Sequence, residues 1–80
     1  MFYTYVIKSV NRDFLYKGHC ENLEDRLKEH NSGMTVSIRP FIPLVLVDKE
    51  EFHTRQEAIR REKYFKTAAG RRFLKKVMVL

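Results

Sequence analysis

The patterning of the chain predicts an α+β fold in the order strand, strand, helix, strand, helix. Three observations carry this. Two short aromatic and β-branched runs flank a turn near the N-terminus, and an amphipathic stretch opens on an asparagine and closes on Asn-Ser-Gly. A four-residue apolar run then leads into a second, separately capped helix.

Phe2 to Ile7 and Phe14 to Gly18 have strand composition, and Ser9 to Arg12 between them carry turn chemistry, so a hairpin is expected. A hairpin loop of two or four residues sets Tyr5 across from Tyr16 with both phenols on one face, whereas a loop of three sends them to opposite faces. Asn22 is placed to cap the first helix, with Asp25 three residues on, and the helix ends near Asn31-Ser32-Gly33, where a left-handed cap is available. A polar, basic connection from Met34 to Arg39 leads to Pro40-Phe41-Ile42-Pro43, whose two prolines favour extended backbone over a helix interior. Leu44 to Val47, four apolar residues in a row, read as a third strand buried on both faces. The second helix opens on the capping box Thr54-Arg55-Gln56-Glu57 and sets Ala58, Ile59, Phe65 and Ala69 on one face. Gly70 is expected to stop it, and Arg71 to Val77 to add a short amphipathic helix through Phe73, Leu74 and Val77. Cys20, Met34 and Met78 read as packing or surface residues.

Eighty residues, 44% hydrophobic and 32% charged, are expected to form one domain with one modest core rather than a disordered tail. A single cysteine excludes an internal disulfide and suits a reducing cytoplasm. The N-terminal apolar run is interrupted at Lys8, Asn11 and Arg12, so neither a signal-peptide core nor a membrane span is expected, and the reading is a soluble, cytoplasmic protein. The net charge of +6 and pI near 9.7 suit a polyanionic partner, although many small domains carry such a charge for solubility alone.

Three ionisable residues depart from the amphipathic pattern. At about 100° per residue, Leu23, Arg26, Leu27 and His30 share one arc of the first helix, while Glu24, Asp25, Lys28 and Glu29 face away. Glu62 falls in the middle of the apolar face of the second helix. Burying an unpaired guanidinium or carboxylate is costly, so groups at such positions need partners or a water-lined cleft.

These residues carry a family resemblance. Tyr3-Thr4-Tyr5 and Tyr16-Lys17-Gly18 on paired strands, the run from Asn22 through Arg26 and His30 to Gly33, and Glu57-Ala58-Ile59-Arg60-Arg61-Glu62-Lys63 together resemble the GIY-YIG nuclease superfamily over almost the whole chain. The chain is most similar to its small stand-alone bacterial members, which are compared with the catalytic N-terminal domain of the excinuclease C subunit. The resemblance implies a small three-stranded antiparallel sheet flanked by two to three helices. It also implies a phosphodiesterase site using one Mg²⁺ or Mn²⁺ ion and no small-molecule cofactor. Carried over by position, Tyr5, Tyr16, Arg26 and His30 are the catalytic residues and Glu62 the metal ligand.

The residue types suit those roles. A hard cation takes oxygen ligands and needs few from protein when water and phosphate supply the rest. Arg26 offers a planar fork of donors to developing phosphate charge. Tyr16 is placed to take a proton from water, provided a neighbouring cation favours its phenolate, and Tyr5 and His30 to orient water and phosphate. Lys17, His19, Lys63, Lys66, Arg71 and Arg72 form the expected nucleic-acid-binding set. The first motif lacks glycine, Lys17 stands where an apolar residue is usual, and His19 stands where some members have lysine.

Plainer readings accompany each assignment. The tyrosines serve as packing aromatics, Arg26 and Glu62 as a buried structural bridge, and the lysines and arginines as a solvated face. Two functions follow. One is a metal-dependent endonuclease acting on structured or damaged DNA with little sequence specificity, working beside a repair or recombination protein. The other is an accessory nucleic-acid-binding module that keeps the fold without turnover.

Overall fold

The computed structural model describes residues 1–77, so Met78 lies outside the described residues. Three strands, β1 (Phe2–Ser9), β2 (Leu15–Cys20) and β3 (Leu44–Phe52), form one antiparallel sheet in the order β2-β1-β3. Helix α1 (Leu23–Asn31) lies on one face; α2 (Arg55–Phe65) and α3 (Ala68–Val77) lie on the other. The predicted α+β class and strand-strand-helix-strand-helix order are therefore present, and the short C-terminal helix expected from Arg71 begins three residues earlier, at Ala68.

β1 is the central strand and buries alternate side chains on both faces. Tyr5 and Ile7 join Cys20, Ile38 and Leu44 under α1, where Leu23, Leu27 and Phe41 complete the packing. Val6 joins Phe65 and Leu74 on the opposite face, while the buried Thr4 hydroxyl donates to the Ala58 carbonyl of α2 at 2.7 Å. Two thin cores, one per face, replace the single core expected from chain length.

The hairpin register differs from expectation by two residues. Tyr5 is opposite Gly18 and Tyr16 opposite Ile7, because the Ser9 N–H donates to the Phe14 carbonyl and the loop spans residues 10 to 13. An even shift preserves side-chain direction, so the two tyrosines still share a face. The third strand runs on to Phe52 and is an edge strand, not one buried on both faces. Its apolar run alternates, with Leu44 buried and Val45 exposed, and Val47 is an extra residue at a bulge opposite Val6 and Ile7.

Both helix starts are as predicted. The Asp25 N–H donates to the Asn22 side chain at 3.1 Å, and Thr54 and Glu57 form the reciprocal capping box. Gly33, with φ of 85°, takes the left-handed conformation that follows α1. The basic connection departs from the extended reading, since Val36–Phe41 coil into a short 3₁₀ helix that includes Pro40. Proline fits there because its fixed φ matches a 3₁₀ turn, and so short a segment loses little by one missing donor.

Gly70 does not stop α2. The helix ends at Phe65, and Thr67 starts α3 by accepting the Gly70 N–H on its hydroxyl at 3.0 Å and the Arg71 N–H on its carbonyl at 2.9 Å. Ala69 therefore belongs to α3 and is exposed, as is Val77, while Phe73 and Leu74 do pack inward. Gly70 is buried where α3 crosses the end of α2, and a Cβ there would overlap the Tyr64 carbonyl. Alanine is the better helix former, so Gly70→Ala should stabilise an isolated helix by roughly 1 kcal/mol. In this fold it is expected to cost about 1–3 kcal/mol through overpacking, measured by urea denaturation, while Ala69→Ser changes stability by less than about 1 kcal/mol.

Candidate active site

The site is organised by β2, an edge strand whose alternating residues point to the two faces of the sheet. Tyr16 and Gly18 face α1, with Tyr5 and His30. Lys17 and His19 face α2, with Glu62.

On the α1 face, Tyr5 is 1% exposed and its hydroxyl lies 2.8 Å from His30 Nε2. His30 is 2% exposed, and its other nitrogen, Nδ1, lies 2.9 Å from Thr35 Oγ1. The expectation that Tyr5 and His30 present polar groups to water and phosphate is thus corrected. Both imidazole nitrogens are taken, and the Tyr5 hydroxyl is buried because its ring fills the core under α1. Gly18 makes this possible: a Cβ there would sit 2.5 Å from Tyr5 Oη. Burial pushes the Tyr5 phenol above its ordinary range, and the neighbouring Tyr16 adds to the shift while Arg26 opposes it. Burial also lowers His30, and the Arg26 charge lowers it further.

Tyr16 is the partly exposed member of this group. Its ring centroid lies 5.0 Å from that of His30, edge-on, and 6.3 Å from that of Tyr5. Its hydroxyl makes no hydrogen bond to any described residue, which leaves it the phenol able to meet solvent. Arg26 sits at the margin of the α1 stripe rather than in the core. Its side chain is 42% exposed, and Nε lies 3.4 Å from Glu29 Oε2, a surface pair of small energetic weight. A buried bridge between Arg26 and Glu62 is absent: each has other partners.

On the α2 face, Glu62 Oε1 lies 2.6 Å from His19 Nδ1 and Oε2 accepts from Lys66 Nζ at 2.7 Å, with the Glu62 side chain 16% exposed. Burial alone would raise this carboxyl, but the hydrogen bonds and charges of Lys66 and His19 outweigh it and hold Glu62 below its ordinary value. His19, expected only to bind nucleic acid, is therefore also a partner of the candidate metal ligand. Lys17 is half-buried, and burial, with Arg71 and Lys66 nearby, lowers it. Lys17, Lys66 and Arg71 thus make a cationic group next to Glu62. Lys63 and Arg72 are exposed, and no described contact ties either to it.

As a cation site this is sparse. Among the described residues no group of three or more His, Cys, Asp or Glu side chains is arranged to hold a metal. Glu62 is the partly buried carboxylate beside β2, held below its ordinary value by its partners. It fits a hard cation that takes its remaining ligands from water and phosphate, in competition with Lys66 and His19 for the same oxygens.

Sequence reasoning missed Thr35 and the contact of Gly18 with Tyr5. Thr35 carried no signal, being one hydroxyl in a connection. Gly18 did carry one, as the glycine of the second aromatic motif.

Comparison with known proteins points the same way. Residues 1–76 match the family described as the GIY-YIG catalytic domain. The UPF0213 protein of Staphylococcus haemolyticus is 36% identical over 76 residues, covering 94% of this chain and 92% of the relative. Those of Bacillus licheniformis and Clostridium perfringens are 42% and 40% identical over 65 and 67 residues, covering 80% and 82% of this chain and 66% and 71% of theirs. No solved structure gives a significant match.

The buried, neutral imidazole has a measurable consequence. The unfolded chain takes up a proton on His30 as pH falls through about 6.5, whereas the folded chain resists until lower pH. Stability is therefore expected to fall as pH drops below 6.5. Urea denaturation at pH 7.5 and 5.5 should show a smaller fall for His30→Gln than for the wild type.

Proposed function

The chain belongs to the GIY-YIG catalytic domain family, and from that premise we propose that it hydrolyses phosphodiester bonds in DNA with the help of one Mg²⁺ or Mn²⁺ ion. The observation that carries this reading is the juxtaposition along β2. A phenol free to meet solvent, Tyr16, lies on one face of an edge strand, and an ionised glutamate among cations lies on the other.

In this reading Glu62 holds the cation, which when bound supplies a Lewis acid toward the scissile phosphate. Arg26 sits at the open margin of α1, where its guanidinium can reach non-bridging phosphate oxygens from solvent. A donor group aimed at developing charge in this way contributes roughly 3–4 kcal/mol. Tyr16, as the phenolate that a neighbouring cation would favour, takes a proton from the attacking water as the P–O3′ bond breaks, and the departing oxygen is protonated from solvent, leaving a 5′-phosphate and a 3′-hydroxyl. Tyr5 and His30 stay beneath Tyr16 and fix its ring from below, as positioning residues. Lys17, Lys66 and Arg71, with Lys63 and Arg72 further out, follow the phosphate backbone. With a cation held on Glu62, Lys66 would be free to pair with a phosphate oxygen.

The substrate class proposed is structured or damaged DNA with little sequence preference, because specific protein–DNA interfaces bury about 1,000 Å² or more and this small surface offers little room for base readout. Target choice would then come from a repair or recombination partner, in the cytoplasm. Among the described residues no helix is long and apolar enough to cross a membrane. One observation favours the other reading, an accessory binding module. Both Glu62 oxygens already have partners within the chain, His19 and Lys66.

The test is cleavage of single-stranded, nicked, flapped and branched DNA with Mg²⁺ or Mn²⁺. Cuts that vanish with chelator are expected, whereas binding without cuts in any metal would support the module. Glu62→Gln and Arg26→Ala are each expected to lower cleavage by roughly 100-fold or more. Glu62→Gln should change stability by about 1 kcal/mol or less, since Lys66 is exposed, His19 is partly exposed and a glutamine amide can still hydrogen-bond the imidazole. Duplex DNA affinity, read by fluorescence anisotropy, is expected to fall steeply between about 50 and 200 mM salt, with little difference between sequences.

A further inference from the structure

Thr35 occupies the cap position of the 3₁₀ helix, with extended backbone at φ −93° and ψ 99°, yet its side chain caps nothing. A hydroxyl there ordinarily accepts a backbone N–H of the following turn. Here it lies against His30 Nδ1 at 2.9 Å. The imidazole links it to Tyr5 Oη, 2.8 Å from Nε2, and both His30 and Tyr5 are almost wholly excluded from solvent.

Counting protons along this chain fixes its direction. A buried neutral phenol must donate its proton, because an unmade buried hydrogen bond costs more than a made one contributes. The polar neighbours of Tyr5 Oη are His30 Nε2 and the Arg26 guanidinium, and a guanidinium can only donate, so the phenol proton goes to His30 and Nε2 must be the bare nitrogen. A neutral imidazole then carries its proton on Nδ1, and Nδ1–H donates to Thr35 Oγ1. Burial and the Arg26 charge, which hold His30 neutral, agree with this count.

We infer that the Tyr5 hydroxyl, donating to Nε2, selects the Nδ1–H tautomer of His30, and that Thr35 is a positioning residue that accepts the Nδ1 proton and so holds the imidazole where it locks Tyr5 beside Tyr16. The tautomer claim stands on geometry alone; its consequence for turnover rests on the proposed reading of Tyr16.

The test compares wild type, Thr35→Val, which keeps shape but removes the hydroxyl, and Thr35→Ser, which restores it. Two-bond ¹H–¹⁵N correlation spectra of the His30 ring report the tautomer directly. The wild type is expected to show Nδ1–H. Tyr5→Phe, which removes the donor to Nε2, is expected to move toward Nε2–H, whereas Thr35→Val is expected to keep Nδ1–H but to shift its ¹H signal and speed its exchange with water, and Thr35→Ser to return to the wild-type pattern. Cleavage kcat is expected to fall roughly tenfold in Thr35→Val with KM little changed, the size of effect seen when the orienting partner of a histidine is removed, and to recover in Thr35→Ser. A wild-type spectrum showing Nε2–H, or an Nδ1–H signal whose shift and exchange are unaltered in Thr35→Val, overturns the inference. If Thr35→Val fails to fold, Thr35→Ala, which also lacks the hydroxyl, takes its place in the same measurements. An altered Nδ1–H signal in a protein that cuts no DNA upholds the positioning role and removes the nuclease reading instead.

Discussion

Everything in this fold depends on β1 being covered on both faces. A chain this short cannot build a thick core, and it compensates by sandwiching one strand between α1 on one side and α2 with α3 on the other. The tightest point is Tyr5. Its ring fills the space under α1, its hydroxyl is held by His30, and it presses on the neighbouring strand so closely that only glycine fits at position 18. The price of covering β1 is that β2 and β3 are both edges, and β2 leaves side chains of adjacent residues available on two faces. The candidate site is built on that strand, with the tyrosines of the α1 face and the glutamate of the α2 face meeting at residues 16 to 19.

Much of this was legible in the sequence, because the relevant signals are local. The Asn22 cap, the left-handed Gly33 and the Thr54–Glu57 capping box each depend on residues within one turn of each other, and each is found as expected. The departures are places where tertiary contacts decide. Gly70 reads as a helix stop from its lack of side chain, but here that lack lets α3 approach the backbone of α2. The apolar run of β3 reads as doubly buried, yet a bulge and an edge position leave Val45 in solvent. Pro40 reads as extended backbone but is accommodated in a 3₁₀ segment too short to need its missing donor.

The same division applies to the site. Periodicity singles out Arg26, His30 and Glu62, because ionisable groups on apolar stripes need an explanation. It cannot say which partner each finds. His30 is the one deeply buried, satisfied by two neutral oxygens. Arg26 stays at the margin, and Glu62 takes His19 and Lys66 in place of the arginine. Those partners come from a strand and from the next helical turn, and only the packing of α2 across the edge strand brings His19 within reach.

The central claim is that a divalent cation and DNA meet at the β2 edge, on Glu62. Paramagnetic broadening of backbone amide signals, on adding Mn²⁺ in the presence of a short DNA duplex, locates the cation directly. The account predicts broadening centred on residues 16–19, 62 and 66, absent from Glu62→Gln. Broadening centred on the open cleft lined by Glu21, Glu24 and Lys49, or unaltered in Glu62→Gln, would contradict it.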